Sequence, residues 1–421
     1  MSRFRGAFLI FFAIIIETVG FNLNNNACRN YNDYRVRFFS KNCYHNPDVL
    51  SDTPSIIHRR GYRLESYTVE TGDDYILTIF RIPPLDSSKV NKQPVFLMHG
   101  IFKCNADWVD VGNKSLAFNL ADRGYDVWLG TIRGCNFAQA HKKLNISDRQ
   151  YWDFNLDNLA YFDIGQQLRF VAKTTGKWGS IIYLGHSMGT TLGFLYTAGN
   201  PGQANELLSG IIALAPVIHL RNVPLVTKLA KIGVPIQRML SRLRIEGLFY
   251  ENGTNRLIYH VCATLPHLCK KVLDFFVGNV TLRFRPDDLL LLFSHAPTPT
   301  SVQVLRHFLQ IVSTGRITRY NYGALKNIKE YGLSEPKSYD LRNIKVPVYL
   351  LYGKKDAFVT EQNVQKLFKD LGSRRKFMIQ IPKNSSQVPY NHLDFLMAED
   401  MHVLLYPEIF KALDAIRRNS E

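Results

Sequence analysis

The chain runs to 421 residues, 46% of them hydrophobic and 21% charged. That is enough apolar material for a large globular core and excludes a disordered or low-complexity protein. A formal charge of +17 favours anionic surfaces, but the basic residues are dispersed and match no nucleic-acid module, so nucleic acid is not an expected partner.

The first segment has a composition of its own. MSRFRG carries two arginines, AFLIFFAIII is an unbroken apolar run, and ETVG supplies small residues before a cleavage point. Those are the three regions of a secretory signal peptide over residues 1–20. The apolar run is too short to span a bilayer, and no later one is long enough. The expected mature protein therefore sits in an extracytoplasmic space, secreted or lysosomal. Five N-x-S/T sequons beginning at Asn113, Asn145, Asn252, Asn279 and Asn384 agree with that route. Six cysteines follow the leader. Local spacing favours Cys28 with Cys43 and Cys262 with Cys269, while Cys104 and Cys135 either pair or stay free. A zinc site is the lesser alternative, since no CxxC occurs, and neither a metal nor another cofactor is expected.

PVFLM (94–98) reads as a buried strand running into His99-Gly100-Ile101. Further on, IIYL (181–184) is a strand apolar on both faces, as parallel sheets require, and MGTTLGFLYTAG has helical spacing up to Gly199. Between them lies GHSMG. Such an elbow presses backbone against the serine from both sides, so Gly185 and Gly189 have a steric reason. Ser187 is presented at a helix N-terminus, where unpaired N–H groups favour developing negative charge.

A serine hydroxyl needs a base to take its proton, and the base needs an orienting group. In a strand–elbow–helix hydrolase the acid and then the histidine follow the serine, on loops after later strands. VPVYLLY (346–352) is a buried strand broken by Gly353, and Asp356 follows at its end. Asp340, Glu361 and Asp370 follow no buried strand and read as solvated carboxylates. Of the two late histidines, His402 falls in a helical pattern, whereas His392 lies in the polar loop SSQVPYNHLDF after the strand-like KFMIQIP. The backbone N–H groups of Met188 and Ile101 are the expected oxyanion donors. His99 precedes the serine in the chain, and its expected role is to shape the oxyanion loop rather than to do chemistry.

In ordered matches from HNPDV (45–49) to YNHLDF (390–395), the chain resembles the acid lipases, the gastric and lysosomal lipases with their insect relatives. HGIF (99–102), SLAFNLADRGYDVWLGTIRG (115–134), GHSMGTTLGF (185–194), SHAPTPTSVQ (294–303) and YGKKDAFV (352–359) carry the resemblance. It implies an α/β-hydrolase core with a mostly parallel sheet, a helical cap, and esterase action on neutral lipids such as triacylglycerol or cholesteryl ester. It likewise implies a triad of Ser187, Asp356 and His392, with oxyanion donors on Ile101 and Met188. Two departures stand out: Met188 replaces the usual Gln, and PTPTS (297–301) replaces PAGTS.

The expected organisation is a signal peptide over 1–20, core over 21–217, a helical cap with lid over 218–340, and core again over 341–421. Within the cap, VPIQRMLSRLR puts Ile236, Met239, Leu240 and Leu243 on one helical face, with Pro235 read as the helix start. That face either packs on the core or meets a lipid–water interface, with peripheral contact to a membrane surface. A non-catalytic lipid carrier and a carboxylesterase for small esters are the alternatives. Oligomeric state is not legible.

Overall fold

The computed structural model describes residues 22–84, 93–250, 253–277, 283–384 and 386–418. The leader expected over 1–20 and the sequons at Asn252 and Asn279 lie outside the described residues.

The apolar runs become the middle of one sheet. Its strands are β1 (Glu65–Glu70), β2 (Tyr75–Ile82), β3 (Pro94–Met98), β4 (Asp126–Leu129), β5 (Ile181–His186), β6 (Leu208–Leu214), β7 (Val348–Tyr352) and β8 (Lys376–Gln380). They lie side by side in the order β1-β2-β4-β3-β5-β6-β7-β8, and the two-residue strand Ala140–His141 pairs with β2. From β4 to β8 every neighbouring pair is parallel; β1 and β2 run antiparallel. Every residue of β3 to β7 is buried, the pattern of strands covered on both faces. Edge strand β1, ESYTVE, instead alternates with solvent. Helices α1 (Gly165–Thr175) and α2 (Met188–Gly199) pack on the sheet before the long insertion.

Between β6 and β7 the chain is mainly helical: α3 (Pro224–Arg242), α4 (Thr254–Thr264), α5 (Pro266–Val277), α6 (Leu289–His295), α7 (Val302–Thr314) and α8 (Ala324–Tyr331). The helix expected to start at Pro235 starts eleven residues earlier. Pro224 occupies its first turn and Pro235 lies inside it, exposed. A surface helix tolerates this because water can bond the carbonyl that loses its donor. The apolar face is not packed on the core either. Ile232, Ile236, Met239 and Leu243 are 45–61% exposed, Leu240 is half-buried, and only Val226 of this helix is buried.

Both locally spaced cysteine pairs are bridged, Cys28–Cys43 and Cys262–Cys269. They sit in one apolar cluster with Tyr34, Tyr259, Leu290 and Leu291, separate from the main core. Tyr34 donates its hydroxyl to Pro286 O at 2.8 Å, and Arg37 donates to Ala263 O at 3.0 Å, so the N-terminal segment is fastened to the helical stretch between β6 and β7. Helices α9 (Glu361–Asp370) and α10 (Tyr406–Arg417) complete the flanks of the sheet.

Candidate active site

Ser187 follows β5 and caps α2 with φ 53° and ψ −121°, a left-handed conformation that a β-carbon resists. Its neighbours hold it there. Ser187 N–H donates to Leu214 O of β6 at 3.1 Å. A β-carbon on Gly189 would sit 2.3 Å from Met98 O, and one on Gly185 would sit 2.7 Å from the Gly189 carbonyl carbon. Both clashes are with backbone, so no rotamer change relieves them.

Asp356 and His392 converge on this serine from loops after β7 and β8. His392 Nε2 lies 2.8 Å from Ser187 Oγ, and His392 Nδ1 lies 2.8 Å from Asp356 Oδ2. The other carboxylate oxygen of Asp356 accepts from the N–H groups of Phe358 at 2.8 Å and Val359 at 3.0 Å. Gly353 makes the meeting possible: a β-carbon there would lie 2.1 Å from Tyr390 O, on the loop that carries His392. All three side chains are nearly buried. A hydroxyl, an imidazole and a carboxylate in one line can pass the serine proton to the ring and stabilise the resulting charge.

Three supporting residues were not singled out from the sequence. His186 Nε2 lies 2.9 Å from the carbonyl oxygen of His392, to which it donates. Burial pushes the His186 imidazole well below its ordinary value, keeping the ring neutral beside His392. Asp394 accepts from Asn391 N–H at 2.7 Å, and the Asn391 side-chain oxygen accepts from the N–H groups of Leu393 and Asp394. That turn fixes the histidine loop. Burial raises the Asp394 carboxyl to about 6. HSM and NHLD offered these neighbours as plain turn residues, with no periodic signal to single them out.

The rival titratable groups have other partners. Asp340 bonds Arg342, Asp370 bonds His219 and Lys366, and Glu361 accepts from Tyr352. His402 is exposed on the short helix Met401–Leu404.

On the opposite side of Ser187, the strap His99–Cys104 leaves β3. A β-carbon on Gly100 would lie 3.2 Å from Ser187 Cβ, so this backbone runs against the serine. Among the described residues no acceptor takes the N–H of Ile101 or Met188. Both His99 ring nitrogens face other groups: Nδ1 lies 2.9 Å from Gly100 O and Nε2 3.6 Å from Cys135 Sγ. The strap is fastened to the loop between α6 and α7 by Thr298, whose N–H donates to Phe102 O at 2.8 Å and whose hydroxyl donates to Lys103 O at 2.9 Å. The described sequon asparagines, Asn113, Asn145 and Asn384, are all exposed.

Residues 53–112 match the family model of a partial α/β-hydrolase lipase region, and residues 93–263 match that of the α/β-hydrolase fold. Gastric triacylglycerol lipase of Homo sapiens is 34% identical over 373 residues, covering 86% of this chain and 91% of that protein. Lipase member N of Mus musculus is 31% identical over 87% of this chain and 92% of its own. Lipase 1 of Drosophila melanogaster is 29% identical over 89% and 82%. Among solved structures, a soluble variant of monoglyceride lipase from Saccharomyces cerevisiae superposes with a TM-score of 0.51 at 17% identity, covering 84% of this chain and 97% of that one. That likeness speaks to the fold alone.

Proposed function

Because this chain belongs to the acid lipase family of α/β-hydrolases, we propose that it cleaves carboxylic esters of neutral lipids, triacylglycerol or cholesteryl ester, through a Ser187 acyl-enzyme. The observation that carries this reading is the unbroken line from Ser187 Oγ through His392 to Asp356, with both links at 2.8 Å.

The chemistry follows from that line. Ser187 Oγ attacks the ester carbonyl as His392 Nε2 takes its proton, and Asp356 holds the ring in the tautomer whose Nε2 is free to do so. The negative charge that develops on the carbonyl oxygen is met by the N–H groups of Ile101 and Met188, both without an acceptor in the resting fold. His392 then protonates the departing alcohol. Water enters, gives its proton to the same nitrogen, and releases the fatty acid. His186 and the Asn391–Asp394 turn hold His392 at its carbonyl and its loop while the ring changes charge.

The exposed face of α3 favours a lipid surface over a small dissolved ester. Ile232, Ile236, Met239 and Leu243 present apolar side chains to solvent, and Arg238 and Arg242 of the same helix are exposed beside them. An apolar stripe with flanking cations suits an interface that is apolar beneath and anionic at its rim. In this reading residues 218–340 form the cap and lid on a core of 21–217 and 341–421. The leader pattern, the two disulfides and the exposed sequons support a secreted or lysosomal protein. No helix of the described residues is long and apolar enough to cross a membrane.

The test is fatty-acid release from triolein and cholesteryl oleate emulsions between acid and neutral pH, for the parent and Ser187→Ala. Release that falls roughly 10⁶-fold in the variant, the scale for losing a triad serine, supports the reading. Lipid binding with no release by the parent would leave a carrier on a hydrolase frame.

A further inference from the structure

One cluster of ligand-type side chains has no part in the chemistry above. His99 opens the strap after β3, Cys104 closes it, and Cys135 lies on the loop after β4. The His99 nitrogen and the two sulfurs lie within 4.8 Å of one another. All three residues are at most 3% exposed. Cys104 and Cys135 are the free cysteines of a chain whose other four are bridged.

The geometry points to a site for one thiophilic divalent cation, Zn²⁺ by chemistry, held by His99 Nε2, Cys104 Sγ and Cys135 Sγ. Three observations carry it. His99 Nε2 lies 3.6 Å from Cys135 Sγ. A tetrahedral ion with Zn–S of about 2.3 Å and Zn–N of about 2.0–2.1 Å sets its ligands about 3.6 Å apart, so this edge already has the required length. His99 Nδ1 lies 2.9 Å from Gly100 O, a carbonyl that can only accept, so Nδ1 carries the proton and Nε2 carries the lone pair toward the sulfurs. Metal-binding histidines are oriented by such a bond. Finally, two thiolates neutralise a divalent ion, whereas a monovalent one would leave net charge in a dry pocket.

Binding balances as two thiols giving their protons to solvent while two thiolates and one imidazole take the ion. Cys135 now donates its thiol proton to Lys103 O at 3.4 Å, and that carbonyl keeps Thr298 as a donor when the proton leaves. Thr131 Oγ1, 3.9 Å from Cys104 Sγ, or a water is available for the fourth position. Because His99 and Cys104 are the two ends of the strap that bears Ile101, the ion ties that strap to the Cys135 loop and restrains the segment beside Ser187.

The test uses the secreted full chain, produced with added Zn²⁺ and purified without chelator. Elemental analysis gives zinc per chain, thiol titration after denaturation counts free cysteines, and Co²⁺ exchange reports coordination. Expected are close to one zinc per chain, two free thiols once the metal is stripped, and a thiolate-to-cobalt charge-transfer band. Cys135→Ser and Cys104→Ser each lower zinc content at least tenfold. The melting temperature of the parent falls on chelation, and that of the variants does not move. The parent measurements stand even where a variant fails to fold. Two free thiols with no zinc, or a third disulfide with no free thiol, would overturn the proposal.

Discussion

Helices α2 and α3 are both rich in apolar residues, and they use them in opposite ways. In α2 all eleven residues from Met188 to Ala198 are buried, and the helix starts at the serine hydroxyl. In α3 the apolar stripe faces outward and a single residue, Val226, is buried. A helix that follows an elbow inside a parallel sheet is enclosed on every side, so its sequence loses periodicity. A helix laid over the outside keeps the periodicity, and the pattern alone does not say whether its apolar side meets core or lipid.

The enclosed region should break at the smallest change. Gly189→Ala forces a β-carbon to within 2.3 Å of Met98 O, and backbone on both sides cannot yield. We expect a loss of about 3 kcal/mol or more, seen as lost soluble protein or a collapsed melting temperature. A variant that melts and turns over like the parent would contradict the tight elbow.

The same region has a pH signature. Burial holds the folded Asp394 carboxyl near 6 rather than at its usual 3.8. The folded state therefore keeps that proton longer than the unfolded chain. Its stabilising contribution is full below pH 3.8 and declines as pH rises toward 6. Asp394→Asn cannot lose the proton, so its stability relative to the parent should climb across that window, by up to about 3 kcal/mol, and stay flat above it. The His186 imidazole, held well below its ordinary value by burial, works the other way: its contribution is present above 6.5 and declines as pH falls. Comparing variant with parent by urea unfolding at several pH values isolates the Asp394 part. A difference that does not change with pH would refute it.

The outward region should separate lipid from dissolved substrate. Replacing Ile236, Met239 and Leu243 with serine removes exposed apolar surface and little packing. Emulsion hydrolysis should fall about tenfold or more, while hydrolysis of a soluble butyrate ester stays within about twofold. Equal losses on both substrates would mean the stripe supports the fold instead. Smallest of all is Met188→Gln. The backbone N–H is unchanged, so kcat on a soluble ester should move by no more than about threefold; a larger change would give the side chain a direct part in the site.

Much of the elbow was legible because local steric rules dictate it. A strand apolar on both faces, two glycines around a serine, and an acid and a histidine after later strands are features of short segments. The structure brings Ser187, Asp356 and His392 together from those segments. Three things were hidden. Pro235 carries the same local signal inside a helix as at its start, so the run from Pro224 was missed. The meeting of His99, Cys104 and Cys135 comes from two loops that the sheet order sets side by side, β3 beside β4, and no spacing along the chain announces it. Asp394 was likewise invisible, since its raised carboxyl depends on what covers it.

The central claim, that Ser187 is an activated nucleophile, is tested most directly by a fluorophosphonate ester, which modifies a hydroxyl only when a base takes its proton. The parent should gain a single phosphonyl group on Ser187, found by peptide mass analysis, and lose its esterase activity in step. His392→Ala should fail to react. An unmodified Ser187, or a label on another residue with activity intact, would contradict the account.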